Sequence, residues 1–597
     1  MRMDSRARTA LGVLAIAALG ALVYLPALRG GFVFDDHELI ENGRLLRGPL
    51  SQIWWGTTSP DYWPLTYTVM WVGWRAFGSA PAGHHALNLA LHVLAALLLW
   101  RALKRAGLGS GTAWLAGVLF AVHPVAVESV AWVSELKNTL SACLWLATIL
   151  AWLRWLEGDR RARSRALLVS VFALALLAKI SVVVLPVVLL GLAAVKRGRV
   201  TRTDLVDVAP LAALAILAAA GNVWFQHHNA MAGGWAPART LADRVAGAGW
   251  ALASYLERAF VPLRLALLYD PWPVRSGTAW FWAPLVLVAG LAAVAWSFRK
   301  RGARPVLLAA AYVAVCVAPV LGLVDMAFLK LSPVANHLQY LALMAPATLG
   351  AWAIARLRVN APRAAAAAGA LLVLALGWST SSRASAFADD LTLWRAAARD
   401  APRNVYARQA YANELLGAGD TAGAIAELRA AAAAGTDPGL VASIQSSILL
   451  VEGREEDAVA QARVVLASTG DPALLSDAAW TLVETGHHEE AIAPFQALVR
   501  RMPGASEYAY RLSVALARAD RPAEALEVLR AYCSSRPGHP RMEAALALML
   551  VRSGRWAEAR TRAALVAGVD AADPRAELQL RAWYAEATGT STLAPNR

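Results

Sequence analysis

Apolar stretches long enough to cross a bilayer recur through the first 383 residues and stop abruptly after Arg383. At about 1.5 Å of rise per residue, some 20 apolar residues span roughly 30 Å of hydrocarbon as a helix. Lipid offers no partner for free backbone groups, so each such stretch is committed to a helix. Crossings are expected at 9–28, 84–103, 112–130, 139–156, 166–178, 180–195, 205–225, 280–297, 305–324, 334–355 and 363–381. The stretch 246–263 carries Glu257 and Arg258 and reads as interfacial or re-entrant. Hydrophobic residues make up 58% of the 597 and charged residues 17%. That excludes a wholly soluble or disordered chain. Three cysteines, Cys143, Cys316 and Cys533, cannot build a disulfide framework or a four-cysteine zinc site.

The net charge of +15 is unevenly spread, with +19 before Ser385 and −4 from there on. Its basic residues sit in every second short loop, as at Arg101/Lys104/Arg105, Lys196/Arg197/Arg199 and Arg299/Lys300/Arg301. Short loops rich in Lys and Arg stay cytoplasmic, so this charge belongs to topology rather than to nucleic-acid binding. Eleven crossings from a cytoplasmic N-terminus place the C-terminal part on the far side, the periplasm of a bacterial inner membrane. Two domains are expected, a polytopic membrane domain over 1–383 and a periplasmic repeat domain over 384–597.

That second part repeats with a period of about 34. Ala424, Ala458, Ala491, Ala525 and Ala559 each follow a turn that contains Gly419, Gly453, Gly486, Asp520 or Gly554. This is the tetratricopeptide (TPR) period, and such helix pairs bury their apolar faces only by stacking into an α-solenoid. Its groove suits a protein or peptide partner.

Chemistry-bearing residues gather at the outer ends of the crossings. The first external loop opens with Phe34-Asp35-Asp36-His37, where two adjacent carboxylates repel and one can take up a proton. A cap or a solvated turn accounts for an isolated Asp-Asp equally simply. Trp54-Trp55 and Asp61-Tyr62-Trp63-Pro64 suit the headgroup boundary. His84, Asn88 and His92 fall on one helical face by i,i+4 spacing. Asn between the two histidines, with no carboxylate beside them, makes a poor zinc site, and no metal ligands are assigned. His123 precedes Pro124, and Glu128, Trp132 and Glu135 follow at helical spacing, with Lys137 and Asn138 next. Lys179, Lys330 and Asn336-His337-Leu338-Gln339-Tyr340 stand at further outer ends. Acids and lysines at one leaflet suit transfer from a lipid-linked anionic donor, in which lysines hold phosphate and an acid deprotonates a hydroxyl. No Walker lysine loop or G-x-G-x-x-G competes.

With these residues in order, the chain resembles bacterial multi-pass membrane proteins with C-terminal TPRs, related to the eukaryotic transmembrane and TPR-containing O-mannosyltransferases. The marks are Phe34-Asp35-Asp36, Tyr62-Trp63-Pro64-Leu65-Thr66, His84 with Asn88 and His92, His123-Pro124-Val125 leading to Glu128-Ser129-Val130-Ala131-Trp132, Lys137-Asn138, Ala178-Lys179 and His337-Leu338-Gln339-Tyr340. Asn336 stands where related sequences often carry Asp. The resemblance implies an all-α GT-C fold and an inverting glycosyltransferase that takes a sugar from a polyprenyl-phosphate carrier. It implies Asp35 or Asp36 as base or acceptor-positioning group and Glu128 as a second acid. His84, Asn88, His92, His123, Lys137, Lys179, His337, Gln339 and Tyr340 are expected on the substrate side. No cofactor is assigned, and a divalent metal requirement stays open. A non-catalytic, membrane-anchored TPR scaffold for envelope assembly is the alternative.

Overall fold

The computed structural model describes residues 4–41, 43–56, 61–228, 239–272, 274–435, 437–536, 539–567 and 569–588. The protein is all-α, and no strand occurs among the described residues. Among the described residues eight helices are long and apolar enough to cross a membrane, and a ninth span is made if Ser110–Ala121 and Pro124–Ala131, bent by 47°, count as one. The two remaining expected crossings are the shorter helices Ala162–Ala178 and Arg304–Val317. The stretch around 246–263 forms the helix Leu241–Phe260, closed at its start by a reciprocal cap between Thr240 and Asp243.

The bend after Ala121 has a local cause. Pro124 cannot continue the helix, and the His123 ring caps the new start by accepting from the Val125 N–H at 3.4 Å. From there to Glu135 the chain advances in three short pieces, with Trp132 extended between the last two. Glu128, Trp132 and Glu135 therefore do not share a helical face, contrary to their spacing. The amide of Asn88 makes this irregular path tolerable at membrane depth. Its Nδ2 donates to the carbonyls of Ser129, Val130 and Trp132 at 3.0, 3.0 and 3.3 Å, and its Oδ1 accepts from Thr139 Oγ1 at 2.5 Å.

The described residues divide into two compact units, which part after Glu414. Composition changes at Arg383, but packing changes after Glu414. Phe387, Leu393, Trp394 and Ala397 lie in one apolar cluster with Val23, Tyr24, Val33 and Trp132. The second unit is a run of helical hairpins from Thr421–Ala434 onward. Ala424, Ala458, Ala491, Ala525 and Ala559 are all fully buried, because only a methyl group fits where the paired helices meet. Gly419, Gly453, Gly486 and Gly554 each take a left-handed backbone (φ 71–83°), and Asp520 takes the same one at φ 59°.

Candidate functional site

The loop after the first crossing helix is folded onto the irregular segment 122–135 by the two aspartates. Asp36 is fully buried and accepts the N–H groups of Ser134 at 2.7 Å and of Val33 and Val133 at 3.3 Å. Burial and the charge of Asp35 push its carboxyl up to about 8, while these N–H donors pull the other way. Asp35 is only part-buried, and its Oδ1 accepts from Trp132 Nε1 at 2.7 Å and from Ser134 Oγ at 2.6 Å. Its Oδ2 takes no hydrogen bond from a described residue. Burial raises the Asp35 carboxyl, and Lys137 opposes that rise.

Lys137 and Lys179 form the cationic side of the same centre. Lys137 Nζ lies 2.5 Å from Glu135 Oε1 and 4.8 Å from the centroid of the Trp63 ring. Lys179 Nζ donates to Asn138 Oδ1 and stands 3.8 Å from Glu135 Oε2. Asn138 Nδ2 in turn donates to Glu135 Oε2 at 2.5 Å. Asp61 belongs here too, bound by Gln226 Nε2 at 2.7 Å, and burial raises its carboxyl against the pull of that amide and of both lysines. One carboxylate, Glu135, is thus shared by two buried ammonium groups.

Glu128 is buried and fully engaged by the segment Asn336–Leu343. It accepts from Asn336 Nδ2 at 2.5 Å and from the His337 N–H and Nδ1 at 3.0 Å each. Asn336 also accepts the Tyr269 hydroxyl at 2.7 Å. The His337 ring meets Trp132 edge to face at 5.5 Å, so Glu128 touches the Asp35 centre only through His337 and Trp132.

The other expected substrate-side residues are bound to the protein itself. His84 Nε2 donates to Gly78 O at 3.0 Å, and His123 Nε2 to Ala259 O at 3.3 Å. His92 Nε2 donates to Ala121 O at 3.0 Å while its Nδ1 accepts the Tyr340 hydroxyl at 2.6 Å. Gln339 is the exception: it is buried, and neither its Oε1 nor its Nε2 has a hydrogen-bond partner among the described residues. The structure brings Lys137 and Lys179 together on Glu135 and sets Asp35 within reach of the Lys137 charge, with Asp61, Trp63 and Trp132 added around them. Trp132 and Glu135 are visible in sequence but read there as one helical face. Asp390, which binds the Phe34 N–H and the His37 ring, carries no local signal in the sequence, being an aspartate at a helix start far along the chain. No group of three or more His, Cys, Asp or Glu suited to a metal ion occurs among the described residues.

A polytopic helical membrane domain that holds a carboxylate beside two buried lysines, followed by a TPR solenoid, is the class this chain defines. A tetratricopeptide repeat family model matches residues 476–540. The chain is similar to a protein O-mannosyl-transferase of Caenorhabditis elegans, 31% identical over 153 residues, covering 23% of this chain and 22% of that protein. It is similar also to human protein O-mannosyl-transferase TMTC1, 30% identical over 157 residues, covering 24% and 18%. The chain thus matches about a fifth of the length of these relatives. Among solved structures, MamA from Desulfovibrio magneticus is 17% identical and covers 28% of this chain and 94% of its own, with a TM-score of 0.23.

Proposed function

We propose that this protein is a membrane glycosyltransferase that moves a sugar from a polyprenyl-phosphate carrier to a protein or envelope acceptor on the extracytoplasmic side of a bacterial inner membrane. The observation that carries this reading is the Asp35 carboxylate, whose Oδ1 is held by Trp132 and Ser134 while its Oδ2 takes no hydrogen bond from a described residue. It feels the charge of Lys137, itself set over the Trp63 and Trp132 rings and joined to Lys179 through Glu135. The acceptor hydroxyl gives its proton to Asp35 as its oxygen attacks the anomeric carbon. The bond from that carbon to the carrier phosphate breaks, and the phosphate leaves with the electron pair against the lysine ammonium groups. A single displacement inverts the anomeric centre.

In this reading Asp36 holds the loop on Ser134, and Glu128 holds His337 behind Trp132. Neither touches the reacting atoms. Asn88, His92, His123 and Tyr340 fix the irregular segment that presents the site. The names of the similar proteins support glycosyl transfer, and the repeats support recruitment of the acceptor or a partner. The test is transfer of labelled sugar from several polyprenyl-phosphate sugars to periplasmic extract by the full chain. Label that appears with wild type and disappears with Asp35→Asn supports the reading, and equal labelling by both sinks it.

A non-catalytic scaffold is the second reading. It is favoured by Glu135, which already pairs with both lysines from within the protein. Removing residues 415–597, which leaves the membrane unit whole, separates the two: a scaffold loses all function, whereas the enzyme keeps transfer to small acceptors.

A further inference from the structure

Two arginines packed on one segment lack a paired carboxylate among the described residues. Arg383 ends the last crossing helix, Pro362–Ala384, and Arg258 lies one turn from the end of Leu241–Phe260. Arg383 Nη1 donates to Leu265 O at 2.5 Å, while its Nε is buried with no partner. The Arg258 guanidinium lies over the Tyr269 ring, 3.7 Å from its centroid, with Nε and Nη1 both buried and unpartnered. Tyr269 OH accepts the N–H of Ala266, so both guanidinium groups pack on the one segment 265–269. Neither forms an ion pair with any carboxylate among the described residues. A buried guanidinium N–H without an acceptor is costly, and a planar cation with open donors matches the oxygens of a phosphate.

The surroundings say which phosphate. Arg383 lines a groove of about 230 Å³ with Pro262, Leu263, Trp378, Ser379 and Ser382. Its rim is apolar and uncovered, with Leu263 83% and Trp378 80% exposed. On a helix that crosses a membrane, such side chains lie in lipid, and a tryptophan there marks the headgroup level. A guanidinium inside, hydroxyls beside it and an apolar rim outside form a site for a headgroup whose acyl chains stay in the bilayer. The lysines proposed to face the carrier phosphate, Lys137 and Lys179, are bound up with Glu135 and Asn138, and neither lines this groove.

We propose that this groove binds one anionic bilayer phospholipid, its phosphate on Arg383 with Ser379 and Ser382, and Arg258 as a second positive charge behind it. This assignment stands independently of the transfer reaction.

The experiment uses the full-length protein, delipidated in detergent and titrated with phosphatidylglycerol or phosphatidylcholine while bound lipid is counted by native mass spectrometry. One phosphatidylglycerol should bind at least about tenfold more tightly than phosphatidylcholine. Arg258→Gln/Arg383→Gln should lose about that factor. Arg383→Lys should fall between, because it keeps the charge but not the fork, and Arg358→Gln should bind as wild type. Equal binding of the two lipids by wild type, which requires no variant to fold, would overturn the proposal. So would wild-type affinity in the double variant, or polyprenyl phosphate displacing phosphatidylglycerol at equal concentration, which would give the groove to the carrier.

Discussion

Asp390 accepts the backbone N–H of Phe34 at 2.7 Å through Oδ1 and meets the His37 ring at 2.7 Å through Oδ2. The acid that opens the helix Asp390–Asp400 therefore grips both sides of the Asp35-Asp36 pair, 356 residues away in sequence for Phe34. Phe34 is held at φ 53°, a left-handed backbone that a phenylalanine adopts only under constraint. Its ring is wedged against Trp132 and Trp394 at 5.2 and 5.0 Å.

Asp390→Ala removes that grip and leaves the Phe34 N–H unmet, at a cost of about 1–3 kcal/mol. Amide exchange of the segment 33–37 should speed up in the full chain while exchange in the repeats stays as it was. Asp390→Asn, whose carbonyl still accepts from Phe34, should restore most of the protection. Unchanged exchange in the alanine variant would remove the grip from the account.

Asp35→Asn and Asp36→Asn should behave differently although the residues are neighbours. Asp35 is the open carboxylate, so its amide should lower transfer by roughly 10² to 10⁴ with little change in melting temperature. Asp36 is closed around three backbone N–H groups, so its amide should act mainly on stability. The reverse pattern would exchange their roles.

The pH dependence has a definite sign. Asp36 is raised to about 8, so the folded state holds its proton after the unfolded chain has lost it. Stability should fall as pH rises from about 4 to about 8. For His37 burial acts in the opposite direction, but the Glu41 and Asp390 carboxylates raise the imidazole overall. Its contribution is likewise full below the unfolded value and lost as pH climbs through the folded one. Thermal unfolding in detergent should give a melting temperature that declines from pH 5 to pH 8.5, with Asp36→Asn flattening the curve.

Glu128→Gln puts an amide where Asn336 Nδ2, the His337 N–H and His337 Nδ1 all converge. The expected cost is about 1–3 kcal/mol in stability, with a loss of transfer per folded molecule smaller than that of Asp35→Asn. A loss as large as that of Asp35→Asn, in a variant that melts as wild type, would make Glu128 a reacting acid.

In the repeats, Asp520→Gly should stabilise the protein by up to about 1 kcal/mol, the left-handed penalty of roughly 1–2 kcal/mol less the backbone entropy that glycine loses. Asp520 alone among the five turn residues pays a Cβ penalty for its left-handed backbone. Chemical unfolding of the full chain checks this, and a destabilised variant would mean that the aspartate side chain has a partner worth more than the strain.

The sequence by itself determined the helical crossings and the repeat. Hydrocarbon leaves an apolar 20-mer no other structure, and a 34-residue period repeats the same local packing of alanine against a neighbouring helix. His84, Asn88 and His92 could be placed on one face because a single unbroken helix, Pro81–Ala106, carries all three. Only the tertiary structure decided which polar groups form the site and which merely close the fold. Glu128 and Glu135 have the spacing of one face, yet Pro124 and the Asn88 amide break that helix, turning one acid to His337 and the other to the lysines. It also decided that 384–414 packs with the membrane unit, because Trp394 fills a space beside Phe34 that no local pattern reveals. Local rules reach as far as one helix, whereas the partners of a buried charge are set by segments hundreds of residues apart.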